Sequence, residues 1–418
     1  MHIKDIDFKK IGKACFIGIG GIGISALAKM LSNEGIKVVG INDEDTPHTL
    51  DPLKKEGIEI IFQKDLKELP EADLYVYSDA WLYRGPEIIK NAKETNKWVL
   101  SYFETLGQIA KNYKTIAVSG THGKTTTTAM IAEIMIDAGL DPTVIVGSFT
   151  KKFGSNFRKG KSKYFLVEAD EYNRHFLNFY PYIGVITNID KDHLDYYKDI
   201  DEIKEAFAKF SSQSEYIITE KEEYIKKVPK LLVSGEYNRR NGAIALQVAE
   251  VLGIKEEISK KSLAKFFGTS RRLEKIAETK EGTIIYDDYA HHPTEIRATI
   301  QALREMYPQD KKKITIIFQP HLYSRTKALF DDFTKCFTGA DFVIILPIYF
   351  AREKKDETVS IEKMAEEITQ NGQECKSFND FEHAEAFLRE IKYSKNDVFV
   401  TMGAGQAYKI ANSIFNLN

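Results

Sequence analysis

At 418 residues the chain exceeds what one ordinary hydrophobic core serves, so two or three domains are expected. An apolar fraction of 43% beside 29% charged residues is the profile of a soluble globular protein, and a net charge of −2 argues against gripping nucleic acid or an anionic membrane as its main task. Cys15, Cys336 and Cys375 form no CxxC pair and no even framework, so neither zinc nor disulfides are indicated.

The run from Ala14 to Leu31 is apolar enough to suggest a signal or membrane helix. It holds four glycines and Lys29, however, and lacks a small-residue cleavage pattern. A buried strand, a glycine turn and an amphipathic helix account for it better, and a cytoplasmic protein is expected. Strands are expected at 14–19, 36–41, 58–62, 73–78 and 97–101, with helices near 21–34, 86–95 and 103–111. Such alternation implies a parallel sheet covered by helices. Gly18-Ile19-Gly20-Gly21-Ile22-Gly23 fits GxGxxG between the first strand and the first helix, with Asp43 about twenty residues beyond the last glycine. Alone, this motif points to a diphosphate beside a ribose, and so to a nicotinamide dehydrogenase. The plain alternative is a tight turn with close helix–strand packing.

Lys111–Lys114 reads as a linker, and the pattern restarts at Thr115. Strands follow at 115–119, 143–147, 163–168, 183–189 and 215–219. Helices follow at 124–138, 200–211 and 238–252, the last after an extended LLVSG. Residues 115–126, TIAVSGTHGKTT, place a strand before a glycine turn that ends in Gly-Lys-Thr. Glycines there let backbone N–H groups face phosphate oxygens, Lys124 supplies a point charge, and the Thr125 hydroxyl can reach Mg2+. The string is not a full Walker A, because the first glycine of GxxxxGKT falls at Val118. A hydride-transfer enzyme has no use for a triphosphate loop, so the second motif weakens the dehydrogenase reading.

Glu168-Ala169-Asp170-Glu171 ends the strand KYFLVEAD, and Asp192-His193-Leu194-Asp195 follows the next one. Carboxylates at the carboxyl end of a parallel strand lie where such sheets bind ligands. Two Mg2+ ions, one near Glu168 and one near His193, would offset repulsion between an anionic nucleophile and a triphosphate.

A Gly268–Ser270 break opens a third block, with strands at 283–287, 313–318, 341–346 and 397–401. Its helices are expected at 293–306, 323–337, 360–370, 380–391 and 406–414. Asn238 and Asn241 share a face at the start of a helix. Arg271-Arg272, Asp287-Asp288-Tyr289, His291-His292-Pro293-Thr294-Glu295 and FQPHLYSRT (His321, Arg325) put polar residues at strand ends. Singly, each has a plain reading as a cap, a first-turn proline or a surface charge. No short repeat appears, so three consecutive α/β domains are expected: 1–111, 112–269 and 270–418.

In order, FIGIGGIGISALA, SGTHGKTTTT, YFLVEADEY, TNIDKDHLD, NRRN, DDYAHHPTE, FQPHLYSRT and TMGAGQ resemble the Mur ligase family over nearly the whole length, its alanine-adding branch most of all. The resemblance implies an N-terminal Rossmann-like domain, a central P-loop ATPase-type parallel sheet and a C-terminal Rossmann-like domain. It implies an ATP- and Mg2+-dependent ligase that adds L-alanine to the carboxylate of UDP-N-acetylmuramate through an acyl phosphate. Gly18, Gly20, Gly21, Ile22, Gly23, Asp43, Ser78 and Ala80 would hold the UDP-sugar rather than NAD. Gly120, Thr121, His122, Gly123, Lys124, Thr125 and Thr126 would cradle ATP, with Thr125 and Glu168 on one Mg2+ and His193 on the other. Asn241 and His292 resemble the residues that hold adenine, Asp287 or Asp288 would meet the ribose, and Arg272 joins the same nucleotide site. His321 and Arg325 would organise the acceptor and the reacting carboxylate. No nucleic acid or membrane partner is implied, and a monomer or weak homodimer is expected.

The chain also departs from the family pattern. Leu322 stands where many members have arginine, Gly147-Ser148 where Gly-Gly is common, and Asn173 where aspartate is usual. The stretch between the 200–211 helix and Asn238 is shorter than is typical. Phe207 lies near where sister ligases carry a carbamylated lysine, on which the alanine-adding branch does not depend. Two alternatives are a peptide-recycling ligase, disfavoured by GIGGIG, and a catalytically silent nucleotide-binding homologue, disfavoured by intact Lys124, Thr125, Glu168 and His193.

Overall fold

A computed structural model describes residues 5–350 and 353–417. Its first sheet comprises β1 (Lys13–Ile17), β2 (Lys37–Asn42), β3 (Glu59–Phe62), β4 (Leu74–Tyr77) and β5 (Trp98–Ser101), in the order β3-β2-β1-β4-β5 and parallel throughout. The second comprises β6 (Lys114–Ser119), β7 (Thr143–Thr150), β8 (Ser155–Arg158), β9 (Tyr164–Glu168), β10 (Ile183–Ile186) and β11 (Tyr216–Ile218). Their order is β11-β10-β6-β9-β7-β8, with only β8 antiparallel. The third comprises β12 (Glu274–Glu278), β13 (Ile284–Asp288), β14 (Lys313–Phe318), β15 (Phe342–Ile345), β16 (Glu374–Ser377) and β17 (Asp397–Met402). They run β12-β13-β17-β14-β15-β16, with only β12 antiparallel.

Helices cover both faces of these sheets, so central strands read as unbroken apolar runs rather than alternating ones. In β14, Ile314, Ile316 and Phe318 enter one core cluster while Ile317 enters the cluster on the opposite face. The period of two is preserved, with both faces dry. The helix Lys124–Asp137 is buried from Thr125 through Met135, as befits a helix enclosed on all sides.

The chain forms two compact bodies. The first runs to Ile189 and takes in Ile203–Tyr224 and Ile244–Leu263; the second takes Asp190–Glu202, Ile225–Ala243 and the chain from Ala264 onward. The first body holds the first two sheets and the second holds the third.

The three-domain α/β reading holds, and the differences are local. The antiparallel edge strands β8 and β12, and the parallel edge strand β16, were not expected; all three are short and only partly apolar. The helices Pro47–Lys55 and Glu256–Leu263 were also missed, the first opening with proline at its first turn. The expected helix 323–337 divides at Leu329 into Tyr323–Ala328 and Phe330–Phe333. LLVSG pairs with no strand, and the strand expected at 183–189 ends at Ile186, because Thr187 and Asn188 turn to brace a loop. Among the described residues no helix is long and apolar enough to cross a membrane.

Candidate active site

In each sheet the chemistry-bearing motifs leave the carboxyl ends of neighbouring central strands, where open α/β sheets bind ligands. The GxGxxG turn leaves β1, Asp43 follows β2, and Ser78–Ala80 follow β4, with β1 between the other two. The turn is tightly packed. Gly18 has φ 83°, and a Cβ on it would fall 2.3 Å from the Trp81 ring. The Gly20 N–H donates to Asn42 Oδ1 at 3.0 Å, and its carbonyl accepts from Thr49 Oγ1 at 2.7 Å. Gly21 caps the helix Ile22–Asn33, which carries Gly23. Asp43 is partly exposed and pairs with Arg84 at 2.9 Å.

On the second sheet, β6 sits between β10 and β9, so the loops after all three converge. Gly120 has φ 131°, and a Cβ there would lie 2.0 Å from Thr187 Oγ1. The loop is braced by the residues after β10. The His122 N–H donates to Asn188 Oδ1 at 2.9 Å, Asn188 Nδ2 donates back to the His122 carbonyl at 2.9 Å, and the Thr121 N–H donates to the Asn188 carbonyl at 3.1 Å. Gly123, at φ 80°, starts the helix that carries Lys124, Thr125 and Thr126. A helix N-terminus and a rigid turn thus meet at one point, the arrangement that favours phosphate.

Lys124 Nζ reaches Glu171 Oε2 at 2.7 Å and Oε1 at 3.0 Å, and also donates to the Gly120 carbonyl at 2.6 Å. Burial works against the lysine's charge, but the Glu171 and Asp170 carboxylates hold its ammonium well above the usual lysine range. Thr125 Oγ1 donates to Glu168 Oε1 at 2.9 Å, while Glu168 Oε2 accepts the Gly147 N–H at 2.7 Å. A Cβ at residue 147 would lie 2.6 Å from that oxygen, so only glycine lets the carboxylate seat there. A hydroxyl and a carboxylate are hard oxygen donors, and the pair fits Mg2+.

His193 belongs to the second body, on the segment Asp190–Glu202. A small cavity there is lined by Asp192–Asp195, Ser324 and Arg325. Arg325 is buried; its Nε and NH2 donate to Asp192 Oδ1 at 3.0 and 2.9 Å, and its NH1 lies 3.0 Å from His321 Nδ1. The structure thus brings His321 and Arg325 into direct contact, with Asp192 held by the same guanidinium. Burial opposes the Asp192 charge, yet Arg325, and after it His193, His292 and His291, hold the carboxyl well below the usual carboxylate range. The His321 ring stacks on Tyr349 with centroids 5.7 Å apart.

The residues assigned to the base and ribose lie at the ends of β13 and beside it. His292 caps the helix Pro293–Met306, its Nδ1 accepting the Thr294 N–H at 3.2 Å, while Nε2 lies 2.9 Å from the Lys191 carbonyl. Asp288 is buried and accepts from Thr299 Oγ1 at 2.6 Å and the Ala290 N–H at 3.1 Å; burial pushes its carboxyl up to about 6. Asp287 accepts from Arg271 Nε and Thr401 Oγ1, each at 2.7 Å. Arg272 lies over the Tyr289 ring at 5.1 Å, and Asn241 is buried.

Sequence reasoning gave no individual role to Asn42, Asp79, Glu171, Asn188 or Asp192, although it quoted Glu171, Asn188 and Asp192 within motifs. Asn42, Asp79 and Asp192 each adjoin a singled-out residue, Glu171 is three positions past Glu168, and Asn188 is two past the end of β10. The usable signal was the strand end itself rather than the residue types recognised there.

Comparisons with known proteins agree with this geometry. Residues 13–114 match the model described as "Mur ligase family, catalytic domain", 118–249 "Mur ligase middle domain", and 271–405 "Mur ligase, glutamate ligase domain". A UDP-N-acetylmuramate--L-alanine ligase of Clostridium botulinum (strain Langeland) is 38% identical over 96% of this chain and 97% of its own length. One from Caldanaerobacter subterraneus subsp. tengcongensis is 38% identical over 99% of each. The crystal structure of UDP-N-acetylmuramate-alanine ligase MurC from Thermotoga maritima superposes with a TM-score of 0.81 and 27% identity, covering 97% of this chain and 98% of that one. A murein peptide ligase from Psychrobacter arcticus shares the fold at a TM-score of 0.70 and 20% identity. With the three family models following the three sheets, and relatives alike along almost the entire length, the chain belongs to the Mur ligase family.

Proposed function

We propose that the protein joins L-alanine to the carboxylate of UDP-N-acetylmuramate at the expense of ATP. The observation that carries the reading is the Thr125–Glu168 pair seated beside the Gly120–Lys124 turn, in a chain whose relatives are UDP-N-acetylmuramate--L-alanine ligases along almost its full length. In this reading residues 1–111 hold the sugar nucleotide, 112–269 the ATP, and 270–418 the acceptor side.

The chemistry requires such parts. A free carboxylate is a poor acyl donor because oxide is not expelled. Transfer of the γ-phosphoryl group to that carboxylate makes an acyl phosphate. The alanine amine attacks its carbonyl, and phosphate leaves through a tetrahedral intermediate. Phosphoryl transfer needs charge neutralisation and alignment more than covalent help from the protein. Lys124 neutralises the β/γ-phosphates on leaving Glu171, and the Gly120–Gly123 turn presents backbone N–H groups to them. Thr125 and Glu168 would hold Mg2+, which would supply Lewis-acid neutralisation of phosphoryl oxygens, with His193 assigned to a second ion. Arg325, oriented by Asp192, and His321 support the reacting carboxylate and the acceptor. GIGGIG cradles the UDP diphosphate, and Asn42 fixes the turn.

The test is phosphate release from ATP with each substrate omitted in turn. Release is expected only with UDP-N-acetylmuramate and L-alanine both present. Release that is indifferent to the sugar nucleotide would end the ligase reading.

A further inference from the structure

Two consecutive left-handed residues, Asn173 (φ 51°, ψ 23°) and Arg174 (φ 57°, ψ 27°), kink the turn that follows the acidic loop. Asparagine tolerates this conformation. An arginine held there carries about 1 kcal/mol or more of strain, which the surroundings must offset. They do so: the Arg174 N–H donates to the Glu171 carbonyl at 3.1 Å, the Phe176 N–H donates to the Asp170 carbonyl at 2.8 Å, and Phe176 stacks on Phe210 with centroids 5.0 Å apart.

The kink sets the place of His175. Its ring is buried and stacks face to face on Phe103, with centroids 4.2 Å apart and planes at 15°. Nε2 lies 2.6 Å from Asp79 Oδ2. Nδ1 faces Asp170 Oδ2 at 3.9 Å, too far for a hydrogen bond, and is a buried atom with no bonding partner. The other groups against the ring are the Asn173 carboxamide, 3.3 Å from Nε2, and the edge-on Tyr172 ring. Asp79 stands between Ser78 and Ala80 on the loop after β4, whereas Asp170 is two residues past Glu168 on the loop after β9. One imidazole therefore spans from the sugar-nucleotide edge of the first sheet to the metal-binding edge of the second. Burial pushes that imidazole down, but the Asp170 and Asp79 carboxylates outweigh it and raise it to about 9, so the bridge is a cation at neutral pH.

We infer that His175 is a positioning residue that couples the two ligand loops, holding 78–80 and 168–171 in register so that a bound sugar nucleotide improves the ATP site. It acts through Asp79 and Asp170, and the inference rests on the ligase reading above. If the same loops were merely packed together, a neutral side chain of similar size would serve as well. If the cation is what ties them, removing either charge of the His175–Asp79 pair uncouples the ligands without abolishing binding of either one.

The full chain as wild type, His175→Gln, Asp79→Asn and the double variant would be titrated with a non-hydrolysable ATP analogue plus Mg2+, with and without UDP-N-acetylmuramate. In the wild type the sugar nucleotide is expected to tighten analogue binding about 5–10-fold. The enhancement should fall to within about twofold in each single variant, and the double variant should be no worse than either single, as expected for residues acting through one contact. In the wild type the enhancement is complete at pH 6 and fades as pH rises through about 9, whereas in His175→Gln it is flat. Should His175→Gln fail to fold, Asp79→Asn carries the test, because that side chain is partly exposed and nearly isosteric with the original. An enhancement absent from the wild type, or unchanged in the folded variants, overturns the coupling. Wild-type phosphate release that ignores UDP-N-acetylmuramate overturns the ligase reading and this inference with it.

Discussion

On the proposed reading, Lys124 is the residue the nucleotide must win. Its ammonium is held by a Glu171 carboxylate whose side chain is only 3% exposed, and by two loop carbonyls, Gly120 and Thr121. A buried ion pair with this many hydrogen bonds is not a spare charge waiting for phosphate; in the proposed site ATP would have to displace the carboxylate, and the exchange would subtract from binding. Glu171→Gln keeps the shape and removes the competing charge. It is expected to tighten ATP-analogue binding about 5-fold, on the order of 1 kcal/mol, when measured by calorimetry with Mg2+ present. Unchanged or weaker binding would mean that Glu171 helps the bound state rather than competing with it. Asp192 shows the opposite arrangement. Arg325 is buried against it in two hydrogen bonds, so the pair fixes a direction for the guanidinium and its neighbour His321 instead of blocking it. Neither carboxylate could be assigned from sequence. Each is one acid among several in an acidic run, and only the fold decides which oxygen meets which cation.

At the scale of elements the reading from sequence was sound for most long apolar runs and poor where tertiary contacts set the outcome. The β6–turn–helix unit was legible because Gly120 and Gly123 take backbone angles that other residues resist, and that signal survives the missing first glycine of the full motif. The edge strands β8 and β12 were not legible. They are four and five residues long, and their pairing comes from a neighbour rather than from their own pattern. The break of the 323–337 helix at Leu329 was equally hidden, since no proline or glycine marks it. The helix Lys124–Asp137 carries a consequence of its complete enclosure. Glu133 is buried in it, and burial, only partly offset by Lys152, pushes its carboxyl up to about 7. An acid whose folded value is raised binds its proton more tightly when folded, so stability declines as pH rises from about 4.5 to 7 and is level above that. Glu133→Gln is therefore expected to stabilise the protein at pH 8, by roughly 2 kcal/mol, and to make no difference near pH 4.5. Thermal midpoints of both proteins across that range would check it, and a constant offset between them would rule out ionisation as the cause.

At the scale of the whole molecule, one rule repeats in each sheet. The loops that carry the candidate residues leave a central strand and its two neighbours: β1 with β2 and β4, β6 with β9 and β10, β17 with β13 and β14. That rule made much of the site readable, because strand order in a parallel sheet follows from short right-handed crossovers. It also implies that ligands on different sheets have separable determinants. Within the first body, the edges proposed for the sugar nucleotide and for ATP belong to different sheets. Contacts between the domains of these two sheets include Asn156 Nδ2 donating to the Ile22 carbonyl and to Ser25 Oγ. Lys124 makes none of them; its partners all lie on the second sheet's own loops. Lys124→Ala is accordingly expected to lower phosphate release by about 10²–10³-fold, the usual loss on removing one preorganised charge from a phosphoryl site. UDP-N-acetylmuramate affinity should stay within about threefold, below the roughly 5-fold at which coupling between sites usually begins, because this side chain is not on the connecting contacts. Equilibrium binding of the sugar nucleotide to wild type and variant, beside a phosphate-release assay, separates the two effects. If both fall together, the two edges form one site, and the division of labour between the sheets is wrong.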